Sequence, residues 1–253
     1  MHLMKIQLIR NATLKISMAG ITLLTDPVLL PRHGIDSFAG VEKNPTVDLP
    51  FPAAEVIKDI DMVLVSHLHR DHFDDGAKKM LPKDIPILCR QVNEAELKKN
   101  GFSNVTPIET RMTWKNMDIT PTPGRHAGNE KWEAILGRVS GFVLRAPGEP
   151  VVYWAGDTVL YDEIKTILTS VKPDIIITHS GGAELGDSGP IVMDARQTID
   201  VCKLCPDAFV VAIHMEALDH CKVSRKALRE LAVENKISTE RLFIPEDGEI
   251  LNF

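Results

Sequence analysis

Short apolar runs recur along the chain, and their spacing changes character after the first tenth of it. Near the start, Lys5–Arg10, Thr13–Ser17 and Ile21–Thr25 carry Ile, Leu and Thr, with Asn11-Ala12 and Ala19-Gly20 as turn signals between them. This pattern predicts an antiparallel meander. Asp26-Pro27 ends it. From about Val28 to Pro52 the pattern lapses, and Pro31, Pro45, Pro50 and Pro52 with Gly34 and Gly40 predict a long loop. Loops of that length are often lids or binding loops, so a lid over a site is the expectation, with a plain surface insertion as the alternative.

Helix and strand then alternate. Ala53–Asp59 predicts a short helix, Asp61–Ser66 a strand, Asp74–Leu81 a helix, Ile85–Cys89 a strand and Gln91–Lys99 a helix stopped by Asn100-Gly101. Val105–Ile108, Met117–Thr120, Val139–Arg145 and Val151–Trp154 predict strands. Asp162–Val171, Ala195–Cys205 and Ser224–Asn235 predict helices, the last capped by Ser224. Asp174–Thr178 and Phe209–Ile213 predict buried strands, and Arg241–Ile244 and Glu249–Asn252 close the chain. Runs such as DMVLVS and DIIIT are apolar on successive residues, as in sheets covered on both faces. No linker or break in composition divides residues 1–253. The expectation is one α/β domain of two mixed sheets packed face to face, with helices outside.

Composition narrows the function classes. The 253 residues are 44% hydrophobic and 25% charged, ordinary globular usage. Lys+Arg 29 against Asp+Glu 35 gives a net charge of −6. That balance argues against a nucleic-acid partner, which needs clustered cations, but allows a small-molecule substrate. Apolar runs fall short of the roughly 18 residues of a membrane span. Lys5, Arg10 and Asn11 interrupt the stretch where a signal peptide needs an apolar core. A cytoplasmic protein is therefore expected, with Cys89, Cys202, Cys205 and Cys221 as thiols.

The most informative segment is Ser66-His67-Leu68-His69-Arg70-Asp71-His72-Phe73-Asp74, between a predicted strand and a predicted helix. Close imidazoles repel if charged and need hydrogen bonds if neutral. A divalent cation solves both problems, because neutral His nitrogens ligate transition metals. Alternation places His67 and His69 on one side of an extended segment, and Asp71 and His72 begin the turn into the helix. Other potential ligands follow predicted strands: His126 in Pro123-Gly124-Arg125-His126, Asp157 in Ala155-Gly156-Asp157-Thr158, and His214 in Ala212-Ile213-His214.

This HxHxDH motif, with those later residues in order, resembles the metallo-β-lactamase superfamily over about the whole chain. The resemblance implies an αββα sandwich with the site at one edge. It implies one metal held by His67, His69 and His126, a second by Asp71, His72 and His214, and Asp157 bridging the two. It further implies a hydroxide between the metals, oriented by Asp71. The ligands offer nitrogen and oxygen but no thiolate, which suits Zn²⁺ and also Mn²⁺ or Fe²⁺. Thr25-Asp26-Pro27 and Ile213-His214-Met215-Glu216 look like one branch of the superfamily. That branch includes ascorbate-6-phosphate lactonase-like proteins, metal-dependent hydrolases without assigned substrates, and the N-acylphosphatidylethanolamine phospholipase D group. There, Asp26 resembles an acceptor for the second N–H of a ligand histidine.

Residues outside the motif carry weaker expectations. His179 ends a predicted strand and is expected to contact substrate, as an oxyanion donor or general acid, or else to be structural. Arg125, Lys131 and Trp132 lie close in sequence to His126 and could bind a phosphate or carboxylate, or form a solvated loop. Gly181-Gly182 could admit substrate against the backbone or make a turn. His220, in Leu218-Asp219-His220, is a weaker candidate for the role given to His179 and is expected at the surface instead, and His2 and His33 carry no signal beyond the place of His33 in the expected lid. Cys202 and Cys205 lack the further ligands of a zinc site and read as buried thiols. The leading expectation is a dinuclear metal-dependent hydrolase for a small polar lactone or ester, phosphorylated or not. A phosphodiesterase or phospholipase-D-like hydrolase is the alternative, and a non-catalytic metal- or partner-binding protein is the other class.

Overall fold

Burial alternates residue by residue along the central strands. Met62 and Leu64 enter one apolar cluster while Val63 and Val65 enter another. Ile175 and Ile177 face that first cluster, and Ile176 faces a third. A strand that buries both faces must lie between two other layers, which is why these runs show no polar alternation.

The computed structural model describes residues 4–253, so His2 lies outside the described residues. The chain opens with β1 (Lys5–Arg10), β2 (Thr13–Met18) and β3 (Ile21–Thr25). After the long loop come α1 (Ala53–Val56), β4 (Met62–Leu64), α2 (Asp75–Met80), β5 (Ile87–Cys89), α3 (Gln91–Lys99) and β6 (Val105–Pro107). Then follow β7 (Met112–Trp114), β8 (Met117–Gly124), α4 (Glu130–Leu136), β9 (Val139–Arg145), β10 (Val152–Trp154) and α5 (Asp162–Val171). The remainder is β11 (Ile175–His179), α6 (Ala195–Leu204), β12 (Phe209–Ile213), α7 (Arg225–Glu234), β13 (Leu242–Phe243) and β14 (Ile250–Asn252).

Two seven-stranded mixed sheets result, ordered β14-β1-β2-β3-β4-β5-β6 and β13-β12-β11-β10-β9-β8-β7. In the first, β1 to β3 are antiparallel and β3 to β6 parallel. The second repeats the scheme, antiparallel from β7 to β10 and parallel from β10 to β13. Their inner faces share one core that includes Leu14, Leu23, Leu64, Phe142, Trp154, Ile177 and Val211. Val56, Ala77 and Leu97 of α1 to α3 cover the outer face of the first sheet, and Ile164, Ile199 and Leu228 of α5 to α7 cover that of the second. Each large side chain so buried contributes about 1.5–3 kcal/mol. This is the expected αββα sandwich.

The structure departs from the sequence reading in several places. The first helix ends at Val56 rather than Asp59, with Ile57 as its cap, and Asp59 takes a left-handed φ of 57°. The strand expected over Met117–Thr120 runs on to Gly124, through Pro121 and Pro123. β7 pairs with it only as far as Ile119, so beyond that residue β8 is a sheet edge, where proline is tolerated. The hairpin partner β7 and the helix α4 were not expected. Asn129 caps α4, its side chain accepting from Trp132 N–H at 3.0 Å.

The loop from Val28 to Pro52 contains no helix or strand, only a bridge between Ile35 and Asn44. It is fastened at both ends. The buried Arg10 guanidinium donates to the carbonyls of Val28, Leu30 and Val47. Asp219 accepts the backbone N–H groups of Phe38, Ala39, Val41 and Glu42.

Candidate metal centre

The parallel strands of both sheets end on one edge of the sandwich, and the chemistry-bearing side chains sit there. Asp26 follows β3, His67 lies beyond β4, Asp157 beyond β10, His179 ends β11 and His214 follows β12. Register keeps these ends level, with Thr25 opposite Leu64, Trp154 opposite Ile177 and His179 opposite Ile213. His126 comes off β8. Asp71 and His72 ride on a turn in which the N–H groups of His72 and Phe73 donate to the His69 carbonyl at 3.0 and 2.9 Å. Asp74 then caps α2 by accepting from Ala77 N–H.

Seven side chains converge. His67 Nε2 lies 3.0 Å from His69 Nδ1, which lies 3.3 Å from His126 Nε2. His72 Nε2 and His214 Nε2 are 3.3 Å apart, and each is 3.7 Å from Asp71 Oδ2. Asp157 stands between the two groups. Its Oδ2 is 3.0 Å from His72 Nε2, 3.5 Å from His126 Nε2 and 4.0 Å from His67 Nε2, and its Oδ1 is 3.7 Å from His214 Nε2.

Proton bookkeeping shows that this arrangement suits cations. The Ile191 carbonyl accepts from His126 Nδ1 at 2.9 Å, so Nε2 is left with a lone pair. Ser66 Oγ gives its proton to Asp26 and accepts from His67 Nδ1 at 2.9 Å, so His67 Nε2 also bears a lone pair. One proton on His69 Nδ1 satisfies at most one of these two neighbours, whereas a divalent cation satisfies all three. Outer hydrogen bonds that orient ligand imidazoles in this way are characteristic of metal sites.

Electrostatics point the same way. Burial alone would disfavour charge on Asp71 and Asp157, yet the surrounding imidazoles, His72 foremost, hold both carboxyls well below their ordinary range. Burial pushes His72 down, but Asp157, Asp71 and Asp26 outweigh it and lift it to about 10. The cluster thus calls for positive charge, from protons or from metal. Burial dominates at Asp26 and raises its carboxyl, against the pull of His72.

Asp26 accepts from His72 Nδ1 at 2.7 Å and from Ser66 N–H at 2.8 Å. His179 differs from its expected role. Its ring is fully buried, Nε2 accepts the Trp154 indole N–H at 3.0 Å, and Nδ1 donates to Asp157 Oδ1 at 2.5 Å. With both nitrogens engaged it holds Asp157 and has nothing left for substrate.

Arg125, Lys131 and Trp132 also need correction. Arg125 pairs with Glu133 at 3.3 Å, stacks on Tyr161 and lines a separate cavity with Arg90 and Arg138. Lys131 and the Trp132 indole both bind Asp187, at 3.0 and 2.8 Å. Lys131 and Trp132 lie on α4, and the polar groups of all three residues are already paired. Gly181 serves the backbone rather than a substrate: a Cβ there would meet the His214 carbonyl at 2.0 Å. His33 is an exposed partner of Glu42. The described cysteines are free, with burial raising Cys202 to about 11 and Cys89 to about 12.

Several residues that shape the site were missed. Asn11 donates from Nδ2 to the Asp71 carbonyl at 2.9 Å and accepts the His214 N–H at 3.1 Å on its own carbonyl. Its place in the β1–β2 turn, where it takes a φ of 57°, was the available signal. Trp154 and Ser66 had none beyond adjacency to Asp157 and His67. His220, expected at the surface, is 4% exposed.

A cavity of about 340 Å³ opens onto His69, Asp71 and His126. Phe38, Leu68, Leu136, Leu185 and Ile191 make its walls apolar, with Arg70 and His220 as the other polar groups.

A two-sheet sandwich with buried histidines and carboxylates at the strand ends defines a metallo-β-lactamase-type hydrolase. Residues 22–215 match the family described as Beta-lactamase superfamily domain, and the chain belongs to that family. It is 35% identical to a UPF0173 protein, YddR of Bacillus subtilis, across 99% of this chain and 100% of the relative. Among solved structures, an isothiocyanate hydrolase from Delia radicum gut bacteria aligns with a TM-score of 0.93 at 33% identity, covering 98% of this chain and 99% of the other. A possible metal-dependent hydrolase from Veillonella parvula aligns at 0.95 and 29% identity, covering 99% and 100%. The chain is a metal-dependent hydrolase whose buried His/Asp cluster can hold metal. No helix among the described residues is long and apolar enough to cross a membrane.

Proposed function

We propose that the chain hydrolyses a small, uncharged electrophile carrying an apolar substituent, of the isothiocyanate kind. The carrying observation is the cavity, whose apolar walls face His69, Asp71 and His126. The 33% identity to an isothiocyanate hydrolase over nearly both full chains supports it. A phosphorylated substrate loses its footing, since Arg125 and Lys131 are paired elsewhere.

In this reading His67, His69 and His126 would hold one divalent cation and Asp71, His72 and His214 another, with Asp157 within reach of both groups. The thiolate-free donor set suits Zn²⁺, with Mn²⁺ or Fe²⁺ also compatible. Bound there, such cations lower the pKa of a water toward about 7 and polarise the attacked group. The chain's own residues do the rest. Asp26, Ser66 and the Ile191 carbonyl lock the imidazoles of His72, His67 and His126, so that their other nitrogens face inward. Asp71 accepts a hydrogen of the attacking water, and Leu68, Leu136, Leu185 and Ile191 shelter the substituent. Addition of one water to R–N=C=S gives R–NH–C(=O)–SH, which separates into the amine and carbonyl sulfide.

The test incubates metal-loaded protein with phenethyl isothiocyanate and measures released phenethylamine, with and without chelator. Chelator-sensitive amine release is expected. A γ-lactone and bis(p-nitrophenyl) phosphate run in parallel, and turnover of either without amine release overturns the substrate class.

A further inference from the structure

His220 is the one histidine of the cavity that stands outside the metal cluster. It is 4% exposed, and among the described residues no hydrogen bond reaches its imidazole. Nδ1 is sealed off without a partner, which leaves Nε2 as the nitrogen open to the cavity. An unpaired ring nitrogen in a buried site costs stability, and such unmet polar groups concentrate at functional sites.

The ring is also held in place. The Phe38 ring meets it edge-on, with centroids 5.1 Å apart and planes at 76°. The carbonyl of His220 accepts the Glu184 N–H at 3.0 Å. The preceding residue, Asp219, gathers the backbone N–H groups of the loop that carries Phe38. Loop and histidine are thereby fixed together as one wall of the cavity, which His69 and the half-exposed Arg70 also line, the Arg70 guanidinium 3.9 Å from Asp36. Burial pushes His220 below its ordinary pKa, against the pull of the Asp71, Asp157 and Asp219 carboxylates, and the imidazole can present one N–H at Nε2.

We propose that His220 contacts the substrate, donating its N–H to the heteroatom that gathers negative charge as the central carbon is attacked. This rests on the hydrolase reading above. When water adds to R–N=C=S, the C=N π pair moves onto nitrogen and the water supplies the protons of the product. His220 keeps its own proton and lends only a hydrogen bond, the role of a preorganised donor at a developing charge.

The experiment compares His220→Leu and His220→Gln with the wild type, all metal-loaded, on phenethyl isothiocyanate. The Leu variant should lose about a hundredfold in kcat with its metal content unchanged. The Gln variant, whose amide N–H reaches the position of Nε2, should recover about tenfold of that loss. A Leu variant with wild-type kcat, or a loss that merely follows metal content, overturns the proposal. A wild type inert to isothiocyanate but active on the lactone or phosphodiester sinks the substrate reading instead. His220 then stands or falls by the same ratio on the substrate that is turned over. A wild type inert to all three overturns both.

Discussion

The indole N–H of Trp154 donates to His179 Nε2 across 3.0 Å, and this contact decides which tautomer His179 takes. Indole nitrogen only donates, so His179 must carry its proton on Nδ1, where it meets Asp157 Oδ1 at 2.5 Å. A core tryptophan thus fixes the carboxylate that lies between the two groups of histidines.

Trp154→Phe keeps an aromatic ring but removes the donor. His179 Nε2 is then buried without a partner and a small void remains, together costing about 1–3 kcal/mol. Urea unfolding of metal-free protein should show that loss. Unchanged stability would mean that the indole contact does not set the tautomer.

Asp26→Asn should act through metal rather than through the fold. The Asp26 carboxylate accepts from His72 Nδ1 at 2.7 Å. An amide presents a weaker acceptor and can rotate its NH₂ toward the ring, favouring the wrong tautomer. Loss of such an orienting partner weakens metal binding by about 10–100-fold. Titration against a chromophoric chelator measures this directly, and an unaltered affinity would remove Asp26 from the account.

Much of this was legible in the chain because its signals are local. The alternation within DMVLVS and DIIIT comes from strands covered on both faces, and a layered α/β sandwich follows from it. Three imidazoles and a carboxylate crowd into residues 67–72 because one turn delivers them all. What stayed hidden depends on partners distant in sequence. The role of His179 is set by Trp154, 25 residues away, and nothing near either residue announces the pair. Asn11 reaches Asp71 across 60 residues. Sequence proximity misled at Arg125, Lys131 and Trp132, because Arg125 pairs with Glu133, and Lys131 and Trp132 with Asp187, 55 residues or more beyond them. His220 was read as a surface residue because the loop that packs on it lies 182 positions earlier, at Phe38.

Gly181→Ala tests the close packing under His214. A Cβ at residue 181 would stand 2.0 Å from the His214 carbonyl and 2.8 Å from Cys221 Sγ. His214 itself holds a φ of 62°, a conformation that persists only where its surroundings enforce it. The added methyl must displace that backbone, with an overpacking cost of about 1–3 kcal/mol. Metal content and thermal stability should fall together. A variant that loses stability but keeps full metal content would show that His214 tolerates displacement.

The Asp219 clamp gives a pH prediction whose sign can be worked out. Burial pushes the Asp219 carboxyl up, but the Ser37 hydroxyl, the Asn44 amide and the N–H groups of Phe38 and Val41 outweigh it and hold the pKa well below the usual carboxylate range. A group whose pKa is depressed on folding contributes stability that is complete above its unfolded value, about 3.9, and disappears as pH falls through the folded value. Amide exchange across residues 37–44, corrected for intrinsic rates, should therefore be slow and nearly constant from about pH 8 to pH 5. Protection should begin to decline only below about pH 4, where the released carboxyl takes up a proton, and should be lost as pH falls through the folded value. Asp219→Asn replaces an acceptor-only group with one that points an NH₂ at backbone N–H donors. It should lose protection at every pH, and the Phe38–His220 contact should loosen with it. Wild-type protection that collapses between about pH 6 and 5 would point to a titrating group other than Asp219, since its carboxyl stays ionised throughout that window.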